Sequence, residues 1–279
     1  MDRPEYESMY DLEETHWWFV GRQHLALSLI DQRIRIAPDA YILDVGCGTG
    51  GNAQALGKLG NSVGLDLSPI ALDYARRRSL PRLTQGSGLT LPYPTAKFEL
   101  VTVFDVLYHR WISDDEDALK ELYRVIRPGG WLLVTDSALP ILWSSHDELY
   151  FARQRYTMGD LREKLGSVGF ELHVCSYANF LLLPIFLLVR LTQDWLPFAN
   201  DIDRKGTFPT WLNRFLTCVR KLEANWLRRG GTLPLGSSLI CLCRKPVKNG
   251  RLQTARLDAE PLTMNSFIQP KSSARSVPR

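Results

Sequence analysis

Three glycines and one aspartate have the spacing of a nucleoside-binding turn. Gly46, Gly48 and Gly51 form a G-x-G-x-x-G pattern directly after an apolar run and before a helical pattern. Glycines let the backbone approach a ligand closely, and a helix N-terminus offers unpaired amide groups. Asp66 follows Gly46 by 20 positions, where a carboxylate can accept hydrogen bonds from ribose hydroxyls. The pattern suits a nicotinamide dinucleotide as well as S-adenosylmethionine, and a turn that only packs is the third alternative.

The elements that must position these residues alternate between strand and helix patterns, which predicts a parallel sheet built from βαβ units. Ser68-Pro69 predicts a helix start, and Arg127-Pro128-Gly129-Gly130 predicts a helix end followed by a strand. Apolar periodicity predicts helices over 11–30 and 211–227. Strands are predicted at 41–46, 62–67, 82–86, 98–105, 130–136, 170–176 and 237–244, with further helices at 51–59, 69–79, 114–126 and 158–168.

These patterns divide the chain into four parts. Residues 1–40 are expected to form a helical cap, and residues 41–176 with 235–246 the ligand-binding α/β domain. Residues 177–234 are predicted to be a helical, apolar insertion before the last strand. Residues 247–279 form a basic tail without periodicity, which is typical of disorder.

Charge and cysteine content limit the partners. The formal net charge of +4 comes from the tail, because residues 1–246 hold 28 basic and 28 acidic residues. A neutral globular part argues against a nucleic-acid partner. The five cysteines lack paired zinc spacing, so we expect reduced thiols and no metal site. The N-terminus lacks a signal-peptide pattern, and the apolar run 180–189 is too short to cross a membrane. A cytoplasmic protein is expected.

Several separated motifs resemble the type 11 group of class I S-adenosylmethionine-dependent methyltransferases. Residues 43–50 (LDVGCGTG) are similar to the first motif of that family, and residues 64–68 (GLDLS) to its ribose-binding strand end. LPY at 91–93 with FELV at 98–101 resembles its "LPF…FDLV" element, and RVIRPGG at 124–130 its "RVLKPGG". HWWF at 16–19 and WSSHD at 143–147 resemble a narrower subgroup.

The resemblance implies an α/β fold, a Rossmann-like three-layer sandwich with a seven-stranded, mostly parallel sheet whose last strand is antiparallel. It also implies S-adenosylmethionine as cofactor and a methyl acceptor as second substrate. The N-terminal helix with His16, Trp17 and Trp18 is expected to close over the cofactor, with plain core packing of these residues as the alternative. The cofactor contacts that it implies are Asp44, Gly46, Cys47, Gly48, Gly50, Asp66, Leu67, Ser87, Gly88 and Phe104.

One departure from the family pattern concerns the adenine. Gly86-Ser87-Gly88 stands where the family usually has Gly-Asp-Ala. A serine hydroxyl accepts a hydrogen bond more weakly than a carboxylate does, so we expect reduced cofactor affinity. Glu99 replaces an aspartate, and Tyr108 stands where the subgroup often has glutamate.

Methyl transfer needs little from side chains beyond alignment of the acceptor, and a base only where the acceptor must lose a proton. His109 follows the fourth strand, at the sheet edge where open sheets bind ligands, and is the first candidate base. His146 and Asp147 follow the fifth strand on the same edge. Each has the alternative of a packing or capping role.

Three other functions compete with this interpretation. Tyr93 and Lys97 have the Tyr-x-x-x-Lys spacing of short-chain dehydrogenases, but Pro94 between them disfavours the helix that this pair needs. A nucleic-acid base methyltransferase would carry an Asp/Asn-Pro-Pro-aromatic motif, where this chain has residues 104–107 (FDVL). A non-catalytic cofactor-binding module is supported by Ser87 alone.

The insertion bears on the acceptor. Residues 180–191 and 211–229 place apolar side chains beside basic ones, with eight Lys/Arg against four Asp/Glu between Arg190 and Arg229. Such a surface can rest on an anionic bilayer or shelter a hydrophobic, lipid-linked small molecule. A helical lid that packs on the sheet is the alternative. We therefore expect a small-molecule acceptor and a peripheral membrane contact through 180–229.

Overall fold

The computed structural model describes residues 2–192 and 208–247, of which 145, 146 and 189–192 are described by their backbone alone. Seven strands run over β1 Tyr41–Val45, β2 Asn61–Asp66, β3 Leu83–Gln85, β4 Phe98–Phe104, β5 Ile126–Ser137, β6 Glu171–Ala178 and β7 Ser238–Arg244. The helices are α1 Arg3–Leu12, α2 Trp17–Arg33, α3 Gly51–Leu56, α4 Pro69–Arg77, α5 Asp115–Val125, α6 Ser145–Leu149, α7 Met158–Val168, α8 Leu183–Thr192 and α9 Thr210–Arg228.

The strands form one sheet in the order β3-β2-β1-β4-β5-β7-β6. Strands β1 to β5 pair in parallel, and β7 lies antiparallel between β5 and β6. The predicted seven-stranded sheet with an antiparallel last strand is confirmed. Parallel pairing brings the carboxyl ends of β1, β2 and β4 together, since Val45 is in register with Leu65 and Val103.

Alternate side chains of the strands enter two separate cores, which gives the sandwich three layers. Leu43 of β1 packs in one core with residues of α5 and α7, such as Leu119 and Leu165. Its neighbour Ile42 packs in the other core with residues of α2 and α9, such as Leu29. Burial on both faces explains why the central strands read as unbroken apolar runs.

Polar caps fix where the helices begin. The Ser68 hydroxyl accepts a hydrogen bond from the amide of Ala71 at the start of α4, as the Ser-Pro pair predicts. Asp114 caps α5 by accepting from the amides of Glu116 and Asp117. That helix ends at Val125, and β5 begins directly with Ile126. The register of β4 with β5 shifts between the Phe98 and Leu100 pairs, so the predicted turn at 127–130 is an irregular strand segment.

The N-terminal region differs from the prediction of one helix over 11–30. Two helices stand there, and the chain bends between them at residues 13–16. The first is started by a capping box in which Asp2 and Glu5 exchange side-chain and backbone hydrogen bonds. The second begins after His16, whose Nδ1 accepts from the amide of Trp18 at 3.3 Å. The bend turns Glu13 inward, with consequences for the site.

The insertion is attached to the sandwich by a buried charged pair. Glu223 of α9 accepts hydrogen bonds from the amides of Asn179 and Leu181, at 2.9 and 2.8 Å, and pairs with Arg220. Arg220 lies against Gly21 of α2, where an added Cβ would stand 2.7 Å from the Arg220 Cβ. The missing side chain at Gly21 therefore lets the two helices approach. The predicted tail beyond residue 247 lies outside the described residues.

Within the described residues, no helix has the length and apolar character needed to cross a membrane.

Glu223→Ala should lower the free energy of unfolding by roughly 3 kcal/mol, because it leaves the buried Arg220 guanidinium without its partner. Urea unfolding followed by circular dichroism measures this. Asp117→Ala, which breaks the exposed pair with Lys120, is the control and should leave stability nearly unchanged. Equal effects of the two substitutions would contradict the structural role given to Glu223.

Candidate functional site

A cavity of about 700 Å³ lies at the carboxyl ends of β1, β2 and β4. One end, here called the nucleoside end, is bordered by the glycine turn, Asp66 and the loop at Ser87. The other, the aromatic end, is walled by residues of α2, α8 and α9 and of the segments before α8 and before α9: Trp17, Trp18, Leu182, Phe186, Phe208 and Leu216. Phe104, Asp105, Tyr108 and His109 line the cavity too.

The glycine turn has a conformation that other residues rarely adopt. Gly46 and Gly48 have φ of +69° and +55°. A Cβ at Gly46 would stand 2.3 Å from Cγ2 of Val106, so glycine is required there. The amides of Gly46 and Cys47 both donate to the carbonyl oxygen of Leu65, at 2.8 and 2.9 Å. The turn is thereby fixed to the end of β2, with Gly46, Cys47 and Gly48 on the cavity wall.

Asp66 joins the two loops that border the nucleoside end. Its Oδ2 accepts from the amide of Gly48 and its Oδ1 from the amide of Ser68, both at 2.8 Å. Burial raises the pKa of Asp66, and the two amide hydrogen bonds oppose that shift. Each oxygen keeps acceptor capacity towards the cavity, because a carboxylate oxygen can accept more than one hydrogen bond. Asp66 is therefore placed to bind hydroxyl groups.

Glu13 occupies the start of α3, a feature that the sequence motifs do not reveal. Its Oε2 accepts from the Thr49 hydroxyl, from the amide of Gly51 at 3.1 Å and from Nη2 of Arg78 at 3.2 Å. Arg78 also donates to the carbonyl oxygens of Thr49 and Tyr10, each at 2.9 Å. Burial raises the pKa of Glu13, opposed by the Thr49 hydrogen bond and by Arg78. Glu13 thus occupies the first amide of α3, one of those that would hold a pyrophosphate.

Asp44 and Gly50, two of the predicted cofactor contacts, do not line the cavity. Asp44 is fully buried beneath the turn, where its Oδ1 accepts from the Thr102 hydroxyl at 2.7 Å and its Oδ2 has no partner. Burial raises the pKa of Asp44 to about 7. Gly50 has φ of +89° and sits against Leu80 and Ala75. Both residues support the turn from behind.

The remaining predicted contacts, Leu67, Ser87, Gly88 and Phe104, all line the cavity. The Ser87 hydroxyl oxygen accepts from the amide of Leu89 at 3.1 Å, which leaves its own hydrogen and one lone pair for another partner. Gly88 faces Ile112, whose Cδ1 would be 3.3 Å from an added Cβ. Residues 86–88 and Ile112 thus form one neighbouring part of the cavity wall.

His109 lies on the cavity wall in a cluster with two aromatic rings. Its ring stacks on Trp111 with centroids 5.9 Å apart, and the Phe151 ring is 6.1 Å away. Burial lowers the pKa of His109 to about 4. Its Nδ1 accepts from the amide of Trp111, so the neutral ring carries its proton on Nε2. In this state the imidazole is a hydrogen-bond donor and a weak base.

Asp147 also borders the cavity, but its carboxylate is already paired. Oδ1 accepts from Nε of Arg155 at 2.8 Å and Oδ2 from Nη2 at 3.0 Å, while the Ser144 amide donates to Oδ2 at 2.9 Å. A bidentate, buried ion pair of this kind orients a loop, and both carboxylate oxygens are already engaged as hydrogen-bond acceptors. The side chain of His146, the third predicted catalytic residue, lies outside the described side chains.

Arg22 and Asp105 form an ion pair at the junction of the two ends of the cavity. The Arg22 guanidinium also lies 5.5 Å from the ring centroids of Phe19 and Phe104. Asp105, directly after β4, has φ of +55°, a strained conformation for a side-chain-bearing residue. The pairing across 83 positions could not be predicted from the motifs. The one signal for Asp105 in the sequence is its charge, since it stands between the apolar residues Phe104 and Val106 directly after β4.

Comparison with known proteins identifies the central part of the chain. Residues 43–134 match the family model described as a methyltransferase domain. This segment is a methyltransferase domain. The match confirms the predicted family resemblance, and S-adenosylmethionine is the cofactor that such a domain uses.

A demethylmenaquinone methyltransferase of Lactobacillus johnsonii is 29% identical over 164 residues, which are 53% of this chain and 64% of that protein. The chain thus spans less than two thirds of the length of that relative.

Solved structures share the fold of the methyltransferase domain. A chain of the complex between the Haloferax volcanii Trm112 methyltransferase activator and the putative methyltransferase has a TM-score of 0.57 and 18% identity, with 87% of this chain and 98% of that one covered. Geranyl diphosphate C-methyltransferase from Streptomyces coelicolor A3(2) has a TM-score of 0.52 and 18% identity, covering 79% and 75%. Glu13, Arg22 and the aromatic end lie outside the matched segment 43–134.

Among the described residues, no group of three or more histidine, cysteine, aspartate or glutamate side chains is arranged to hold a metal ion.

Asp44→Asn should change how stability depends on pH. The pKa of Asp44 is about 7 in the folded protein against an ordinary value of 3.8, so the folded state holds a proton that the unfolded chain releases. The free energy of unfolding therefore falls as pH rises from about 4 to about 7. The variant lacks this contribution and should gain on the order of 2 kcal/mol relative to the native chain between pH 5 and pH 8. Urea unfolding at both pH values measures it, with the exposed Asp73→Asn as control.

Proposed function

We propose that the protein is an S-adenosylmethionine-dependent methyltransferase whose acceptor is a hydrophobic small molecule, lipid-linked in its full form. The observation that carries this proposal is the single cavity that joins a nucleoside end, built on Asp66, to an aromatic end. A relative named for demethylmenaquinone is consistent with an acceptor of this class.

The nucleoside end of the cavity fits an adenosyl group better than a dinucleotide. Asp66 offers carboxylate oxygens for ribose hydroxyls, and Ser87 and Gly88 line the part of the cavity that would receive the adenine. A pyrophosphate would need the amides at the start of α3, and Glu13 occupies the amide of Gly51 and places a carboxylate there. S-adenosylmethionine, when bound, supplies a methyl group on a sulfonium that needs no further activation. This arrangement disfavours the nicotinamide alternative.

The aromatic end of the cavity would act mainly by excluding water and by orienting the methyl acceptor. Its walls are aromatic and aliphatic, and rings such as Trp17 and Trp18 pack edge to face with centroids 5.7 Å apart. His109 would donate a hydrogen bond from Nε2 to an acceptor oxygen, which sets the position of the acceptor. The Arg22 guanidinium, although paired with Asp105, has further N–H groups that would donate to an acceptor oxygen. Such alignment supplies most of what methyl transfer requires.

A lipid-linked acceptor would have to reach the cavity from a membrane. The proposal therefore includes a cytoplasmic protein that contacts the membrane peripherally through residues 180–229. The alternative of a cofactor-binding module without turnover predicts cofactor affinity and no transfer to any hydrophobic acceptor.

Calorimetry with S-adenosylmethionine, S-adenosylhomocysteine and NADH tests the cofactor assignment. The native chain should bind the first two and not NADH. Asp66→Ala should weaken their binding by about 10- to 100-fold, because it removes charge-assisted hydrogen bonds of about 1.5–3 kcal/mol. Asp66→Asn, which keeps one carbonyl acceptor, should lose less. Asp73→Ala, on the exposed face of α4, is the matched control. Preferential binding of NADH would overturn the assignment.

The role of His109 is tested by kinetics with a hydrophobic quinol as methyl acceptor. His109→Gln keeps an N–H donor and should retain more of kcat/KM than His109→Phe, which we expect to lose roughly tenfold. Because the pKa of His109 is about 4, the native rate should show no inflection near pH 6.5. An inflection there that disappears in His109→Gln would instead indicate a general base.

A further inference from the structure

The outward face of α9 carries a continuous stripe of large apolar side chains. Trp211, Phe215, Leu222 and Trp226 are 69%, 57%, 63% and 55% exposed. At about 100° per residue, these positions fall within roughly 60° of one another on the helix surface. The stripe is about 22 Å long at the rise of an α-helix. A large exposed apolar surface of this kind marks an interaction site.

This stripe is distinct from the face by which α9 packs on the protein. Leu216, Ala224 and Leu227 are buried, and the last two belong to the core shared with α2. The buried pair of Arg220 and Glu223 lies on that inner face as well. Packing of the helix on α2 therefore does not account for the outer stripe, and α9 is apolar on two opposite sides.

The charges beside the stripe indicate what it binds. Arg214, Lys221, Arg228 and Arg229 are exposed along α9 and at its end. The single carboxylate between residues 210 and 229 is Glu223, which is buried and paired with Arg220. The outer side of α9 is thus cationic without exposed anionic residues. Tryptophans on an apolar stripe flanked by arginine and lysine are the composition of a helix that lies in a membrane interface.

The helix that carries the stripe also reaches the aromatic end of the cavity. Leu216, beside Phe215 in the chain, lines that end, and so does Ile185 of α8, which is itself 54% exposed. The same helix therefore carries the exposed stripe and part of the wall of the aromatic end.

We propose that the outward face of α9, formed by Trp211, Phe215, Leu222 and Trp226, docks on a bilayer of anionic phospholipids. The cations beside it contact the headgroups, and the four apolar side chains enter the boundary between headgroups and acyl chains. This assigns the membrane contact of the proposed function to one helix face and one class of lipid, and it rests on that function for the delivery of a lipid-linked acceptor.

Cosedimentation of the full chain with phosphatidylcholine vesicles, with and without phosphatidylglycerol, tests the proposal. The native chain should bind the anionic vesicles and release them as salt is raised. Phe215→Ser/Leu222→Ser and, separately, Lys221→Glu/Arg228→Glu should each lower the partition coefficient at least about tenfold. The controls are Val247→Ser, exposed elsewhere, and Lys58→Glu/Arg76→Glu, which should change it less than about twofold.

The failure of this proposal differs from that of the proposed function. All variants should bind S-adenosylmethionine as the native chain does, since none of the substituted residues lines the cavity. A native chain that does not bind S-adenosylmethionine would count against the methyltransferase assignment alone. Absence of binding to anionic vesicles at low ionic strength would overturn the docking proposal. So would a dimer in analytical ultracentrifugation that Phe215→Ser/Leu222→Ser dissociates, because the stripe would then join two copies of this chain.

Discussion

The nucleoside end of the cavity depends on the hydrogen bonds that the Glu13 carboxylate accepts at the start of α3. A carboxylate out of water is costly unless it is hydrogen-bonded, and here the Thr49 hydroxyl, the Gly51 amide and Arg78 all donate to it. These bonds join the N-terminal helices to the glycine turn. α1 consequently forms one wall of the cavity, with Tyr6 and Met9 facing the nucleoside end. The same carboxylate takes the amide that a phosphate ligand would use, so one interaction both closes the site and restricts its ligand.

The two ends of the cavity differ in polarity: the nucleoside end provides hydrogen-bonding groups, and the aromatic end provides apolar side chains. Asp66 at the nucleoside end is held by two backbone amides, and the adjacent turn is held by Leu65. The aromatic end is formed largely by side chains from α2 and the insertion. Between them stands the Arg22 and Asp105 pair, in a setting where few water molecules screen charge. A site of this form favours a reaction in which binding and alignment, more than proton transfer, supply the rate.

The insertion links the site to the outside of the molecule. Glu223 holds the chain after β6 through two amides, and Arg220 fills the space left by Gly21. That inner face fixes α9 next to the cavity, so its outer face is presented at a defined place relative to the acceptor. One helix thus supplies an attachment to the fold, part of a binding wall through Leu216, and an exposed apolar stripe.

The sequence by itself determined the alternating elements, the glycine turn, the place of Asp66 and the start of α4, because these depend on neighbours within a few residues and on apolar periodicity. Only the tertiary structure decided that Glu13 meets Thr49, 36 positions away, and that Arg22 meets Asp105, 83 positions away. It also showed that Asp44 lies behind the turn, bonded to Thr102, and that Asp147 forms an ion pair with Arg155. Nothing in a local pattern specifies which distant charges share a buried space, since that choice follows from the packing of α1, α2 and the sheet as a whole.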